Sequence, residues 1–334
     1  MPSDNGMRAT LNALYGQTKG AQAHARVTAL LASQPAAGPP RALFSPRDAV
    51  LITYGDSLMA PQRPPLQVLA DFARRHLGGA FSAVHILPFF PWSSDDGFAV
   101  TDFMAVNPAL GGWEDVRAIG RDFHLMVDLV LNHVSAQSDW FRFYLEGRPG
   151  FADLAIEVDP AADLSRVTRP RSLPLLTEFR KADGTPVHLW TTFSADQIDL
   201  NYRSLDVLER MLAALLFYVA QGARLIRLDA VAYLWKEIGT TCIHLPQTHA
   251  MVRLLRQVLD HVAPGTLLIT ETNVPHAENV SYFGDGRNAA HLVYNFTLPP
   301  LLLHTLIRGD ATELARWART RRPPSAHTAF FNFT

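Results

Sequence analysis

The chain has 334 residues, 48% of them apolar, with 30 basic side chains against 31 acidic ones for a net charge of −1. That size suits one large α/β domain with insertions, and the charge balance argues against a broad surface for nucleic acid or anionic membrane. Cys242 is the only cysteine, which excludes a disulfide framework and a thiolate metal cluster. No basic–apolar–small-residue leader opens the chain and no apolar run is long enough to span a bilayer, so a cytoplasmic enzyme is the expected class.

Residues 1–48 differ in texture from the rest of the chain. The Ala-rich "AQAHARVTALLASQ" suits a helix packed on the periphery, and "PAAGPPRALFSP" suits a stiff linker. Apolar runs then recur at "AVLITYG", "SAVHILPF", "LMVDLVLNH", "ARLIRLDAV", "TLLITETN", "AHLVYNF" and "TAFFNFT". Near-continuous apolar runs mark parallel strands covered on both faces. Helical patterns lie between them. "PPLQVLADFARRHLGG" starts on prolines and stops on glycines, and "SLDVLERMLAALLFYVAQG" has Ser204 as N-cap and Gly222 as stop. "DATELARWAR" opens with an Asp310–Glu313 pair that resembles a capping box.

This alternation predicts a (β/α)8 TIM-barrel type fold, incomplete, with about seven strands. No Gly-rich phosphate fingerprint follows the first strand, which disfavours an open Rossmann-like sheet. The long interval between Asn132 and Arg224 reads as a subdomain inserted after the third strand. The expected division is an N-terminal helical extension and linker (1–48), a first barrel part (49–134), the inserted subdomain (135–203) and a second barrel part (204–334).

Barrel enzymes carry their chemistry at the C-terminal ends of the strands. Those ends hold Tyr54 and Asp56, "FFPWSSDDGF", Asp128 with Asn132 and His133, Arg227 with Asp229, and Glu271 with Asn273. Asp229 and Glu271 each follow an apolar run directly, on strands that should be neighbours. Glycoside cleavage with retention needs such a pair, one carboxylate ionised to attack the anomeric carbon and one protonated to release the leaving oxygen. Arg227 lies two residues before Asp229, on the same side of its strand, and favours the ionised form. Desolvation at the end of its apolar run is expected to push Glu271 up towards a useful acid. On pattern alone, a helix cap or a structural ion pair explains either acid equally well.

"DLVLNH" (128–133), "RLIRLDAV" (224–231) and "LLITETN" (267–273) resemble, in order and spacing, the first three signature regions of the α-amylase superfamily, glycoside hydrolase family 13. "LITYGDSL", "VHILPFFPWSSDDGF", "RPRSLP" and "WTTFSADQIDL" are similar to its sucrose phosphorylase branch. "CIHLPQTH" and "ITETNVPHAENVSYFGDG" look most like the glucosylglycerate phosphorylases within it.

The resemblance implies a retaining phosphorylase with inorganic phosphate as co-substrate and no cofactor. Asp229 would be the nucleophile and Glu271 the acid that releases the acceptor and then assists phosphate. Asp95 and His133 would hold hydroxyls of the glucosyl ring, Phe98 would stack on it, and Arg227 would orient Asp229. Phe193 and Gln197 would border the acceptor side, and Arg171 in "RPRSLP" would handle phosphate. Asn132 resembles a calcium ligand of some amylases, but no carboxylate cluster accompanies it, so no metal is expected. Asn273, His276 and Lys236 are the candidates for meeting the carboxylate of a glycerate acceptor, and "FGDG" (283–286) reads as a tight turn.

Three alternatives stay open: a sucrose or sucrose 6′-phosphate phosphorylase, a hydrolase or transglucosylase on the same fold, and a catalytically dead sugar-binding fragment. The last rests on the ending. Members of the family carry a fourth signature region, with a His-Asp pair, after the seventh strand. "TAFFNFT" resembles the strand leading into that region and stops before the pair, so the chain is expected to be C-terminally truncated and unstable or poorly active alone.

Overall fold

Seven strands form one wholly parallel sheet in a computed structural model that describes residues 4–39 and 41–333. Thr334, the last residue of the "TAFFNFT" run, lies outside the described residues, as do residues 1–3 and 40 of the N-terminal segment. In chain order the elements are α1 (Asp4–Ala32), β1 (Val50–Thr53), α2 (Pro65–His76), β2 (Ala83–Ile86), α3 (Trp113–Gly120), β3 (His124–Val130) and β4 (His133–Ser135). Next come α4 (Asp139–Leu145), β5 (Leu176–Arg180), β6 (Pro186–Trp190), β7 (Gln197–Asp199), α5 (Leu205–Ala220) and β8 (Ala223–Asp229). The remainder is α6 (Pro246–Val262), β9 (Leu267–Thr270), α7 (His276–Ser281), β10 (Leu292–Tyr294), α8 (Leu298–Arg308), α9 (Thr312–Arg319) and β11 (Ala329–Phe331). The large sheet runs β1-β2-β3-β8-β9-β10-β11, so the strands follow chain order around the barrel once the insertion is set aside.

The period of two along each strand divides the side chains between two cores. Val84, Ile86, Val127, Leu129, Ile226, Leu228, Leu268 and Val293 pack outward against the helices. Ala83, Met126, Leu225, Leu267, Ile269, Leu292 and Tyr294 pack together inside the barrel. His85, Asp128, Arg227, Asp229 and Glu271 have the same parity as these inner residues and lie nearer the strand ends. Pairing sets Asp128 level with Arg227 and Val130 level with Asp229, and joins β8 to β9 from Leu225/Leu267 to Leu228/Thr270.

Between β3 and α5 the chain builds two small antiparallel pairs, β4 with β7 and β5 with β6, which form the inserted subdomain. The N-terminal helix begins at Asp4, well before the Ala-rich stretch, because Met7, Leu11 and Leu14 already bury one face at helical spacing. It breaks at Gly16 (φ 76°, ψ 173°), and the chain turns back so tightly that a Cβ on Gly20 would meet the Asn12 Cα at 2.8 Å.

Ser204 is the N-cap of α5 as expected, although it makes no side-chain cap bond. One local reading needs correcting. The expected capping box at Asp310 is absent: α9 starts at Thr312, whose backbone N–H donates to Asp310 Oδ1 at 2.9 Å, and Glu313 pairs with Arg316 at 2.6 Å.

Candidate active site

At the mouth of the barrel the inner-facing positions of β2, β3 and β8 turn from apolar to ionisable. His85 Nε2 lies 2.8 Å from Asp128 Oδ2, Arg227 Nη1 donates to Asp128 Oδ1 at 2.5 Å, and the same Nη1 donates to Asp229 Oδ1 at 2.8 Å. The Arg227 guanidinium lies 5.6 Å from the centre of the Phe98 ring and 5.4 Å from that of Tyr294. Glu271 stands on the next strand end. Its backbone N–H donates to the Leu228 carbonyl at 3.2 Å, and its Oε2 accepts a long bond of 3.4 Å from the Ala230 N–H. Both carboxylates therefore look into one mouth from neighbouring strands.

The heavier burial falls on Asp229, where the apolar run leads us to expect it on Glu271, which is partly open to solvent. Burial pushes Asp229 up to about 7, with the charges of Glu271 and Asp128 adding to the shift and Arg227 opposing it. Burial also works against the charge on Asp128, but His85 and Arg227 outweigh it and hold that carboxyl below the usual range. Arg227 is held above the ordinary arginine value because Asp128 and Asp229 together overcome its desolvation.

The other side of the mouth joins the "SSDDGF" loop to the inserted subdomain. Asp95 (φ 57°) and Asp96 (φ 49°) both adopt left-handed backbone, and a Cβ on Gly97 (φ 104°) would meet the Pro88 carbonyl oxygen at 2.7 Å. The turn is pinned from the subdomain by Asp196, which accepts from Ser93 Oγ at 2.5 Å and also from Ser94. Gln197 Nε2 donates to Asp95 Oδ2 at 2.9 Å and lies 3.1 Å from His133 Nε2. Gln197 thus sits between the two residues expected to hold the sugar. His133 Nε2 lies 3.1 Å from the Phe98 carbonyl, and burial lowers its pKa, so the neutral ring donates there. Phe193 fills the space between the His133 ring at 5.3 Å and the Tyr233 ring at 5.5 Å.

Lys236 is removed from the acceptor candidates. It is buried, its Nζ donates to Asn132 Oδ1 at 2.6 Å and it forms an ion pair with Asp199. The lysine ammonium fills the space beside Asn132. Asp199 is satisfied further by the Thr192 N–H at 2.8 Å and hydroxyl at 2.6 Å. His276 and Asn273 are exposed on the segment after β9, and the His276 ring packs 5.8 Å from that of Phe330. Arg171 is exposed and, among the described residues, makes no hydrogen bond or ion pair. "FGDG" is a tight turn, with the Gly286 N–H donating to the Phe283 carbonyl at 2.9 Å.

Sequence reasoning passed over His85, Asp196 and Tyr294 and gave Asp128 no role. The signal for two of them was present. A histidine inside "AVHI" and an aspartate inside "MVDLV" are ionisable groups on apolar strands, and buried charges are retained only where they are paired.

The family model described as alpha amylase, catalytic domain, matches residues 76–314. A glucosylglycerate phosphorylase from Spirochaeta thermophila is 52% identical over 337 residues, covering 98% of the chain and 57% of that protein. One from Escherichia coli is 54% identical over 286 residues, covering 86% of the chain and 51% of that protein. Among solved structures, the sucrose 6F-phosphate phosphorylase from Thermoanaerobacter thermosaccharolyticum matches with a TM-score of 0.73 at 31% identity, over 83% of the chain and 57% of that structure. The chain spans about half the length of the curated relatives it matches.

Proposed function

The chain belongs to the alpha-amylase family, and on that footing we propose that the protein is a retaining α-glucoside phosphorylase that cleaves a glucosylglycerate-type substrate with inorganic phosphate. The observation that carries the reading is the Asp229–Glu271 pair on the ends of adjacent strands, with Arg227 bonded to Asp229 alone of the two. The identities of 52% and 54% to glucosylglycerate phosphorylases support the choice of acceptor.

In the first displacement Asp229 Oδ attacks the anomeric carbon. The glycosidic C–O bond breaks, and the proton of Glu271 passes to the departing glycerate oxygen, leaving a β-glucosyl ester on Asp229. In the second, an oxygen of phosphate attacks the same carbon as Glu271 recovers a proton from it, and the ester bond returns its electron pair to Asp229. Two inversions deliver α-glucose 1-phosphate. Phe98 offers an aromatic face to the C–H groups of the ring, and Asp95, His133 and Gln197 offer it a polar clamp. The unpartnered, exposed Arg171 supplies a fork for phosphate at the rim.

The test is phosphorolysis of glucosylglycerate, sucrose and sucrose 6′-phosphate side by side, with the protein expressed at the full length its reading frame encodes. Glucosylglycerate should be the preferred donor of α-glucose 1-phosphate. Glu271→Gln should lose about 10²- to 10⁴-fold in rate, and Asp229→Ala should fall to background. Cleavage of sucrose alone would overturn the glycerate assignment, and release of free glucose independent of phosphate would favour a hydrolase.

A further inference from the structure

The loop "GTTCIHLP", after β8, is absorbed by none of the roles above, yet it carries two of the six non-glycine residues with positive φ among the described residues, Cys242 (51°) and His244 (55°). Three of the other four, Asp95, Asp96 and Ala230, belong to the mouth already described. Left-handed backbone at a non-glycine residue costs free energy and gathers where a site requires it. The loop is tied on both sides. The His244 N–H donates to the Ala232 carbonyl at 3.1 Å, and the Thr241 carbonyl accepts from the Thr168 N–H of the inserted subdomain at 2.9 Å. Its residue 244 thus stands between the segment that follows Asp229 and the segment that follows Glu271, since the His244 ring reaches Tyr282 beyond α7.

The chemistry of that contact selects one tautomer. His244 Nδ1 lies 2.7 Å from the Tyr282 hydroxyl, and the Tyr282 side chain is wholly buried. Were Nδ1 the donor, the buried phenol proton would have no acceptor among the described residues, at the cost of an unmade hydrogen bond. Burial also holds the Tyr282 phenol well above its usual pKa, so it keeps its proton and donates. Nδ1 is therefore the acceptor and Nε2 carries the hydrogen. The half-exposed ring leaves that N–H without a protein partner among the described residues. Tyr233, next in the chain to the Ala232 that the His244 N–H meets, packs 5.5 Å from the Phe193 ring and so ties this loop to the mouth. Alongside runs "RVTRPR", where Arg166, Arg169 and Arg171 are all exposed and give the approach a positive field. Burial lowers the His244 pKa, and the charge of its acidic neighbour Glu278 opposes that shift without reversing it.

From this geometry we infer that His244 is an acceptor-specificity residue whose Nε2–H receives the carboxylate of a small anionic acceptor. The inference rests on the glucosyl-transfer reading of the site and assigns the acceptor's negative end to a residue outside the catalytic pair.

Asn is the informative replacement, because it tolerates left-handed backbone and its Oδ1 still accepts from Tyr282, while the donor at the Nε2 position is lost. The full-length protein should be assayed in the synthetic direction from α-glucose 1-phosphate, with glycerate and with uncharged glycerol as acceptors, and in arsenolysis of α-glucose 1-phosphate without acceptor. His244→Asn should raise the KM for glycerate about 10-fold or more, the range of a hydrogen bond to a charged group. Arsenolysis and transfer to glycerol should stay within about 2-fold, a difference small against that range. His244→Gln, which restores an amide donor near the Nε2 position, should recover part of the loss, and it carries the comparison should the Asn variant fail to fold. Equal losses with glycerol, or an unchanged KM for glycerate, overturn the inference. Absence of any glucosyl transfer by the parent protein overturns the proposed function instead, so the two failures are distinct.

Discussion

Asp229 lies on the inner face of β8 because it falls four residues after Leu225 in a period of two, and that position buries it. A carboxyl that titrates near 7 when folded and near 3.9 when unfolded binds more protons in the folded state across that interval. Its contribution to stability is therefore full below about pH 4 and is lost as pH rises to about 7. Asp229→Asn should accordingly stabilise the fold at pH 8 by about 1–3 kcal/mol and change little at pH 4, measured by urea unfolding at both pH values. A variant no more stable than the parent at pH 8 would show that Arg227 cancels the desolvation. Asp229, the proposed nucleophile, is thus a position where the proposed activity and stability pull apart.

The inserted subdomain is held to the barrel by a few polar contacts across distant parts of the chain. Lys236, after β8, pairs with Asp199 at the end of β7 and bonds Asn132 at the end of β3. Breaking a buried ion pair by removing one partner strands the other charge, at a cost of about 3–5 kcal/mol. Lys236→Met should show that loss in denaturant unfolding, and Lys236→Met combined with Asp199→Asn should recover much of it. A single variant as stable as the parent would mean that the Thr192 and Asn132 donors alone satisfy Asp199. The subdomain also carries Asp196 and Gln197, so the same docking that buries Lys236 shapes the loop holding Asp95.

The sheet ends at β1 on one side and at β11 on the other, and these two strands do not pair. A cavity of about 820 Å³ opens at the inner face there, lined by Val50, Ile52, Leu225, Leu292, Phe331 and Phe333 among others. α8 buries none of its residues, and Leu306 and Ile307 are 72% and 74% exposed. Unpaired strand edges and apolar surface of this extent invite association. On its own, the 334-residue chain is expected to bind a hydrophobic dye such as ANS and to elute as soluble aggregates. A dye-silent monomer that unfolds cooperatively would refute this.

All seven barrel strands were legible as apolar runs, because a parallel strand covered on both faces has to be apolar on both. That Asp229 and Glu271 stand together at the barrel mouth was legible because each closes such a run on adjacent strands. The pairing of Lys236, named as an acceptor candidate, with Asp199 and Asn132 was not legible, since neither partner is near it in the chain. His85 and Asp196 went unnoticed, since their partners Asp128 and Ser93 lie 43 and 103 residues away. The capping box at Asp310 failed for a local reason, a helix that starts one residue late, with Ala311 at the N-cap.

Residue order alone determined the alternation of strands and helices and the face each strand side chain takes, since both follow from local periodicity. The tertiary arrangement decided which ionisable groups meet, which carboxyl is desolvated and which cation is already neutralised. Those outcomes depend on strand register and on how the insertion docks, and neither is encoded within the reach of one turn or one strand.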